Sequence, residues 1–202
     1  MRLLVIRHGE SEADLPDVHE GRADFPLTQR GHRQAEALAR YVKANYEVSA
    51  IYSSTLKRAC QTAEHLSRET GVPVTADPML MEFNNGLIAG MGRPEARERY
   101  PEVVGLPVHA SVYGQESALE FRFRADYMLS KIIADVGEGD VVAVVTHGGM
   151  INQLYRSFLR RPVDCGVFFS TGDTGLHEWR VEPRRRWVVK SNWTGHAAGL
   201  LD

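Results

Sequence analysis

The run Val141-Val142-Ala143-Val144-Val145 constrains the fold more than any other stretch of the chain. Uniformly apolar and almost wholly β-branched, it suits a strand covered on both faces, and such strands belong to parallel sheets packed between helices. It stops at Thr146-His147-Gly148-Gly149, after which Met150, Ile151, Leu154, Tyr155 and Phe158 recur at helical spacing. The N-terminus repeats the plan: Leu3-Leu4-Val5-Ile6 ends at Arg7-His8-Gly9. In an open parallel sheet, ligands bind just beyond the carboxyl ends of the strands, where backbone N–H groups and helix N-termini converge. Two buried strands are therefore expected to bring two histidines to one edge.

The remaining pattern alternates strand and helix. Thr28 offers an N-cap to a helix reaching about residue 44, with Ala35, Leu38, Ala39 and Val42 on its apolar stripe. Ala50-Ile51-Tyr52 reads as a strand, and Ser53-Ser54 is placed to cap a helix whose stripe is Leu56, Ala59, Cys60, Ala63 and Leu66. Arg58 falls off that stripe, one turn in, where a charged side chain is ordinarily solvated. Pro73-Val74-Thr75 reads as a third strand, and Ala125, Leu129, Ile132, Ile133 and Val136 mark a long helix over 117–136 that stops at Gly137. Further strands are expected near 167–170, 174–181 and 186–190, with Pro183-Arg184-Arg185 as a hairpin turn. The expected fold class is α/β, a three-layer αβα sandwich around a mostly parallel central sheet. One domain spans 1–202, with the proline- and glycine-rich segment 91–115 as a lid or insertion.

Composition narrows the function. A formal net charge of −2 gives no general attraction to nucleic acid or anionic membrane, so an anion site has to be local, and the arginines at 184–186 read as a solvated turn. No apolar run approaches the roughly 20 residues of a membrane span, and the opening residues carry no signal-peptide pattern. A cytoplasmic protein is expected. Cys60 and Cys165 form neither a metal-ligand pattern nor a disulfide framework, and both are expected to be buried and reduced. No metal and no cofactor is expected.

Arginine beside histidine at a strand end suits a phosphoryl group: the guanidinium is a fixed fork of donors, and a neutral imidazole is a nucleophile. Glu82, after Met79-Leu80-Met81, is expected to be partly shielded, and burial raises a carboxyl pKa toward the range a proton donor needs.

With Arg7-His8-Gly9-Glu10-Ser11, Ser53-Ser54-Thr55-Leu56-Lys57-Arg58-Ala59, Glu82 followed by Gly86 and Gly90, and Thr146-His147-Gly148-Gly149 all in order, the chain resembles the histidine phosphatase superfamily, which includes the cofactor-dependent phosphoglycerate mutases. The resemblance covers nearly the whole length and takes in Gly21 and Asp24-Phe25-Pro26-Leu27-Thr28. It implies that His8 is the nucleophile and Glu82 the proton donor and base. Arg7, Arg58, His147 and the amide of Gly148 would hold the phosphoryl oxygens, and Asp14, Glu20 and Gly21 would complete the substrate-binding set. Asp14 stands where the family commonly has asparagine, and an anion there repels a dianionic ligand unless an arginine neutralises it. The activity implied is metal-independent hydrolysis of a small phosphorylated metabolite through a phosphohistidine. The alternatives are phosphoglycerate mutase-type transfer and, from another class, a silent phospholigand-binding module on the same fold. The oligomeric state is open, a homodimer included.

Overall fold

A computed structural model describes residues 1–14 and 18–200. Six strands form one sheet: β1 (Arg2–Arg7), β2 (Val48–Ser53), β3 (Val74–Ala76), β4 (Val141–Thr146), β5 (Leu176–Glu182) and β6 (Arg185–Trp193). Their order is β3-β2-β4-β1-β5-β6. β4 pairs parallel with β1 and β2, and β2 parallel with β3, while β5 and β6 extend the sheet antiparallel.

Alternation along the strands divides the core in two. Leu4, Ile6, Ala143 and Val145 point to one face, where α1 (Gln29–Asn45) and α2 (Lys57–Thr70) cover them with Leu38, Val42, Ala63 and Leu66. Leu3, Val5, Val142 and Val144 point to the other, under α4 (Ala118–Asp135) and α5 (Gly148–Phe158). The result is the three-layer αβα sandwich expected. α3 (Arg93–Arg99) lies within the 91–115 segment, whose other residues form turns, irregular chain and a bridge at Gly92. Among the described residues no helix is long and apolar enough to cross a membrane.

The cap expected at α1 forms, and α4 starts one residue later than expected, at Ala118, with Ser117 as its cap. Thr28 accepts from the Gly31 N–H, and Ser117 forms a reciprocal capping box with Glu120. At α2 the expectation is corrected: Leu56 is the N-cap, and Ser54 Oγ instead accepts from the Leu56 N–H at 3.2 Å. The strand expected near 167–170 does not form. There Asn152 on α5 bonds both backbone groups of Phe169, accepting from its N–H at 2.7 Å and donating to its carbonyl at 3.1 Å, so a side chain takes the place of a ladder. Cys60 and Cys165 are half-buried where full burial was expected, because Cys60 lies at the edge of the α2 stripe.

Candidate active site

Register aligns the strand ends. Arg7 stands opposite Thr146, and Ser53 opposite Val145, so the chain leaves β1, β2 and β4 at one edge with His8, Ser54 and His147. Both histidines are buried, and their rings lie 5.1 Å apart between centroids. Glycine makes the close packing possible: a Cβ on Gly9 would meet the Gly31 carbonyl oxygen at 2.6 Å.

His8 is held in one tautomer. Its Nδ1 lies 2.7 Å from the Gly9 carbonyl oxygen, which can only accept, so Nδ1 carries the proton. Arg58 Nε donates to Nε2 at 3.2 Å, which marks Nε2 as the lone-pair nitrogen. Burial, and then the charges of Arg7 and Arg58, hold the His8 pKa well below the ordinary imidazole value, although the Gly9 carbonyl pulls the other way. The result is a neutral imidazole with its basic nitrogen turned to an arginine.

Arg58 is fully buried, contrary to the solvated position expected from its helical phase. The loop before α1 closes over it: its Nη1 donates to the Ala23 carbonyl at 2.9 Å and its Nη2 to that of Gly21 at 2.7 Å. Glu20 Oε1 lies 3.1 Å from Arg58 Nε, and Ser11 Oγ donates to the same oxygen. Gly21 has φ +47°, and a side chain there would collide with Asn85.

Arg7 is half-buried at the mouth. It donates to the Thr171 carbonyl at 2.9 Å and pairs with Asp173 at 3.4 Å and Asp14 at 3.9 Å. The exposed Asp14 is thus neutralised by an arginine, the condition under which its anion is compatible with a phosphoryl ligand; it also accepts from the Ser11 N–H at 2.8 Å.

His147 is the N-cap residue of α5, whose first turn presents the Gly148 and Gly149 amides. Its Nε2 lies 2.8 Å from Ser54 Oγ, and its buried Nδ1 has no hydrogen-bond partner among the described residues. Burial, with Arg58 next, holds its pKa well below the usual value.

Glu82 is half-buried and pinned by two backbone donors: Oε2 accepts from Gly149 N–H and Oε1 from Phe83 N–H, both at 2.8 Å. Gly149 leaves room for it, since a Cβ there would meet Glu82 Oε1 at 2.3 Å. The carboxylate is thereby tied to the residue two after His147. Its backbone is fixed from α4, where Arg124 donates to the carbonyls of Met79, Met81 and Glu82 at 2.8, 2.7 and 3.2 Å and pairs with Glu116 at 2.6 Å.

Arg124, Glu116, Ser54, Ser11 and Asp173 escaped the reading of the sequence. Arg124 alone left a local signal, as a charge beside Ala125 on the buried side of α4. Among the described residues, no group of three or more His, Cys, Asp or Glu side chains is arranged to hold a metal ion.

A neutral imidazole with an available nitrogen, two arginines, a helix N-terminus and a carboxylate tethered to that terminus together make a site able to receive and hand on a phosphoryl group. Comparison with known proteins agrees. The phosphoserine phosphatase 1 of Hydrogenobacter thermophilus is 30% identical over 97% of this chain and 94% of its own length. A probable phosphoglycerate mutase, GpmB of Proteus mirabilis, is 32% identical over 80% of this chain and 76% of its own. The solved structure of Bacillus stearothermophilus YhfR superposes with a TM-score of 0.83 at 26% identity, covering 96% of this chain and 98% of that one. The sequence model of the histidine phosphatase superfamily (branch 1) matches residues 3–194, and the chain is an enzyme belonging to that family.

Proposed function

We propose that the protein is a metal-independent phosphatase that hydrolyses a small phosphomonoester through a phosphohistidine on His8. The observation that carries this reading is the tautomer: Nδ1 is bonded to a carbonyl and Nε2 faces Arg58, so the lone pair and the cation that attracts a phosphoryl group occupy one place. His8 Nε2 attacks phosphorus, and the bond to the leaving oxygen breaks as the N–P bond forms. Arg7, Arg58, the Gly148 amide and His147 Nδ1 hold the three equatorial oxygens as charge spreads over them. Glu82 protonates the departing alkoxide. It then takes a proton from water as that water attacks the phosphohistidine, which frees His8 and inorganic phosphate.

Hydrolysis is favoured over mutase-type transfer because a mutase must shield its phosphohistidine from water, whereas the 91–115 segment is short. That segment serves as the lid. Its ends touch the site's loops, with Gly92 bridged to Val18 and the Tyr113 carbonyl accepting from Leu87 N–H at 2.9 Å. The test is phosphate release from a panel of phosphomonoesters by wild type and His8→Ala, with 3-phosphoglycerate mutase activity assayed beside it. His8-dependent hydrolysis faster than mutase turnover is expected. Brisk mutase turnover with slow hydrolysis overturns the phosphatase reading, and silence in both assays overturns the enzymatic one for these substrates.

A further inference from the structure

Glu20 has no part in the transfer just described, yet its carboxylate stands against the nucleophile. Oε2 lies 3.9 Å from His8 Nε2, and Oε1 lies 3.1 Å from Arg58 Nε and accepts from Ser11 Oγ. The side chain is only 19% exposed. An attacking imidazole brings phosphorus to within about 3–3.5 Å of Nε2 before the bond forms, so phosphoryl oxygens fall on the ground this carboxylate already holds. Both anions seek the same guanidinium, whose remaining donors are committed to the Gly21 and Ala23 carbonyls.

The charge balance sharpens the conflict. Arg7 and Arg58 are the guanidiniums that face the pocket, while Asp14, Asp173, Glu20 and Glu82 are all carboxylates around them. With every acid ionised, a dianion would enter a negative site. Asp14 and Asp173 pair with Arg7 at the mouth, where burial raises the Asp173 pKa and Arg7 opposes it, and Glu82 is held by two backbone N–H groups. Glu20 differs in being buried on the ligand's own ground. We infer that Glu20 is a resident anion at the phosphoryl-binding ground of Arg58, and that it gives up its charge by taking one proton from solvent as an oxyanion ligand enters.

The groups around it agree. From the end of β1 comes Arg7 and, just after it, His8, from the loop Asp14, and from α2 Arg58, on which Glu82 and Asp24 also act. Burial raises the Glu20 pKa, opposed by Arg58 and the Ser11 hydrogen bond and reinforced by Asp14. Once protonated, Glu20 offers an O–H to a ligand oxygen in place of a repelling charge, and the proton returns to solvent when product leaves. Glu20 is in this account a positioning and selectivity residue that couples oxyanion binding to pH.

This inference rests on the proposed phosphoryl pocket, and sulfate, a dianion throughout the range used, tests it without turnover. Sulfate is titrated calorimetrically into wild type and Glu20→Gln between about pH 5 and pH 9, in buffers of differing ionisation enthalpy. Glutamine keeps an oxygen for Arg58 and Ser11, and Glu20→Ala serves as a second variant without that oxygen. Wild type is expected to take up close to one more proton per sulfate than either variant above the Glu20 pKa. Its affinity should fall about tenfold more per pH unit there, leaving both variants the tighter binders at the alkaline end. Equal slopes and equal proton counts overturn the inference. No sulfate binding by any of the three overturns it together with the pocket, whereas Glu20-dependent proton uptake in a protein that never phosphorylates His8 refutes the nucleophile alone.

Discussion

Gly149→Ala separates the placement of Glu82 from the stability of the fold. Gly149 sits in the first turn of α5 with backbone dihedrals open to any residue, so alanine should gain up to about 1 kcal/mol of helix propensity. The new methyl, however, would stand 2.3 Å from Glu82 Oε1 and 3.0 Å from Cδ, so the carboxylate must leave. In leaving, it loses its hydrogen bond from the Gly149 N–H, a charge-assisted contact of about 1.5–3 kcal/mol. Gain and loss offset to within about 2 kcal/mol, and the thermal midpoint should move by only a few degrees. Catalysis has no such compensation. Displacing a general acid costs about 10² to 10⁴ in rate, and the cost should concentrate on substrates whose leaving oxygen needs a proton. The assay is kcat/KM, which reports phosphoryl transfer to His8 and not the later hydrolysis that both substrates share, for an alkyl phosphate beside a nitrophenyl phosphate, whose leaving group departs unprotonated. The alkyl substrate should suffer at least tenfold more than the aryl one. A folded Gly149→Ala protein with wild-type kcat/KM on the alkyl phosphate would refute the role given to Glu82.

Arg58→Ala should abolish turnover and destabilise the protein by about 3–5 kcal/mol, because Glu20 is left without its cation and the Gly21 and Ala23 carbonyls lose their donor; urea unfolding checks it, and a loss below 1 kcal/mol contradicts it. His177 is fully buried, accepts from the Asn192 N–H at 3.1 Å, and has its pKa lowered to about 4 by burial. The unfolded chain therefore binds a proton that the folded one refuses. This histidine's share of stability is intact above about pH 6.5 and shrinks by about 3 kcal/mol as pH falls toward 4. The urea midpoint of wild type should fall over that window more than that of His177→Gln, and parallel curves would exclude the effect. Chelators should leave the rate unchanged, since fixed guanidinium and amide donors stabilise the charge in this account, and strong inhibition by a chelator would break it.

Much of this arrangement was legible because its signals are local. The strand runs before His8 and His147, the Thr28 cap and the glycines after each histidine all act within a few residues. What escaped depends on contacts made across the chain. Arg58 lies off the α2 stripe and is buried only because the 20–24 loop returns over it with two carbonyls. Residues 167–170 carry the β-branched and aromatic side chains of a strand, but the side chain of Asn152 takes the hydrogen bonds of Phe169. Arg124 organises the Glu82 segment by reaching three carbonyls more than forty residues away, which no periodicity reports.

The most direct test of the central claim is to quench a turning-over sample with base within milliseconds, digest it, and map the phosphoryl group by mass spectrometry. An acid-labile, base-stable phosphoryl group on the peptide carrying His8, formed at the rate of turnover and missing from His8→Ala, is the predicted result. Steady turnover with no phosphoryl group on His8 at any quench time, under conditions in which its formation outpaces its hydrolysis, or with the group on another residue, would contradict it.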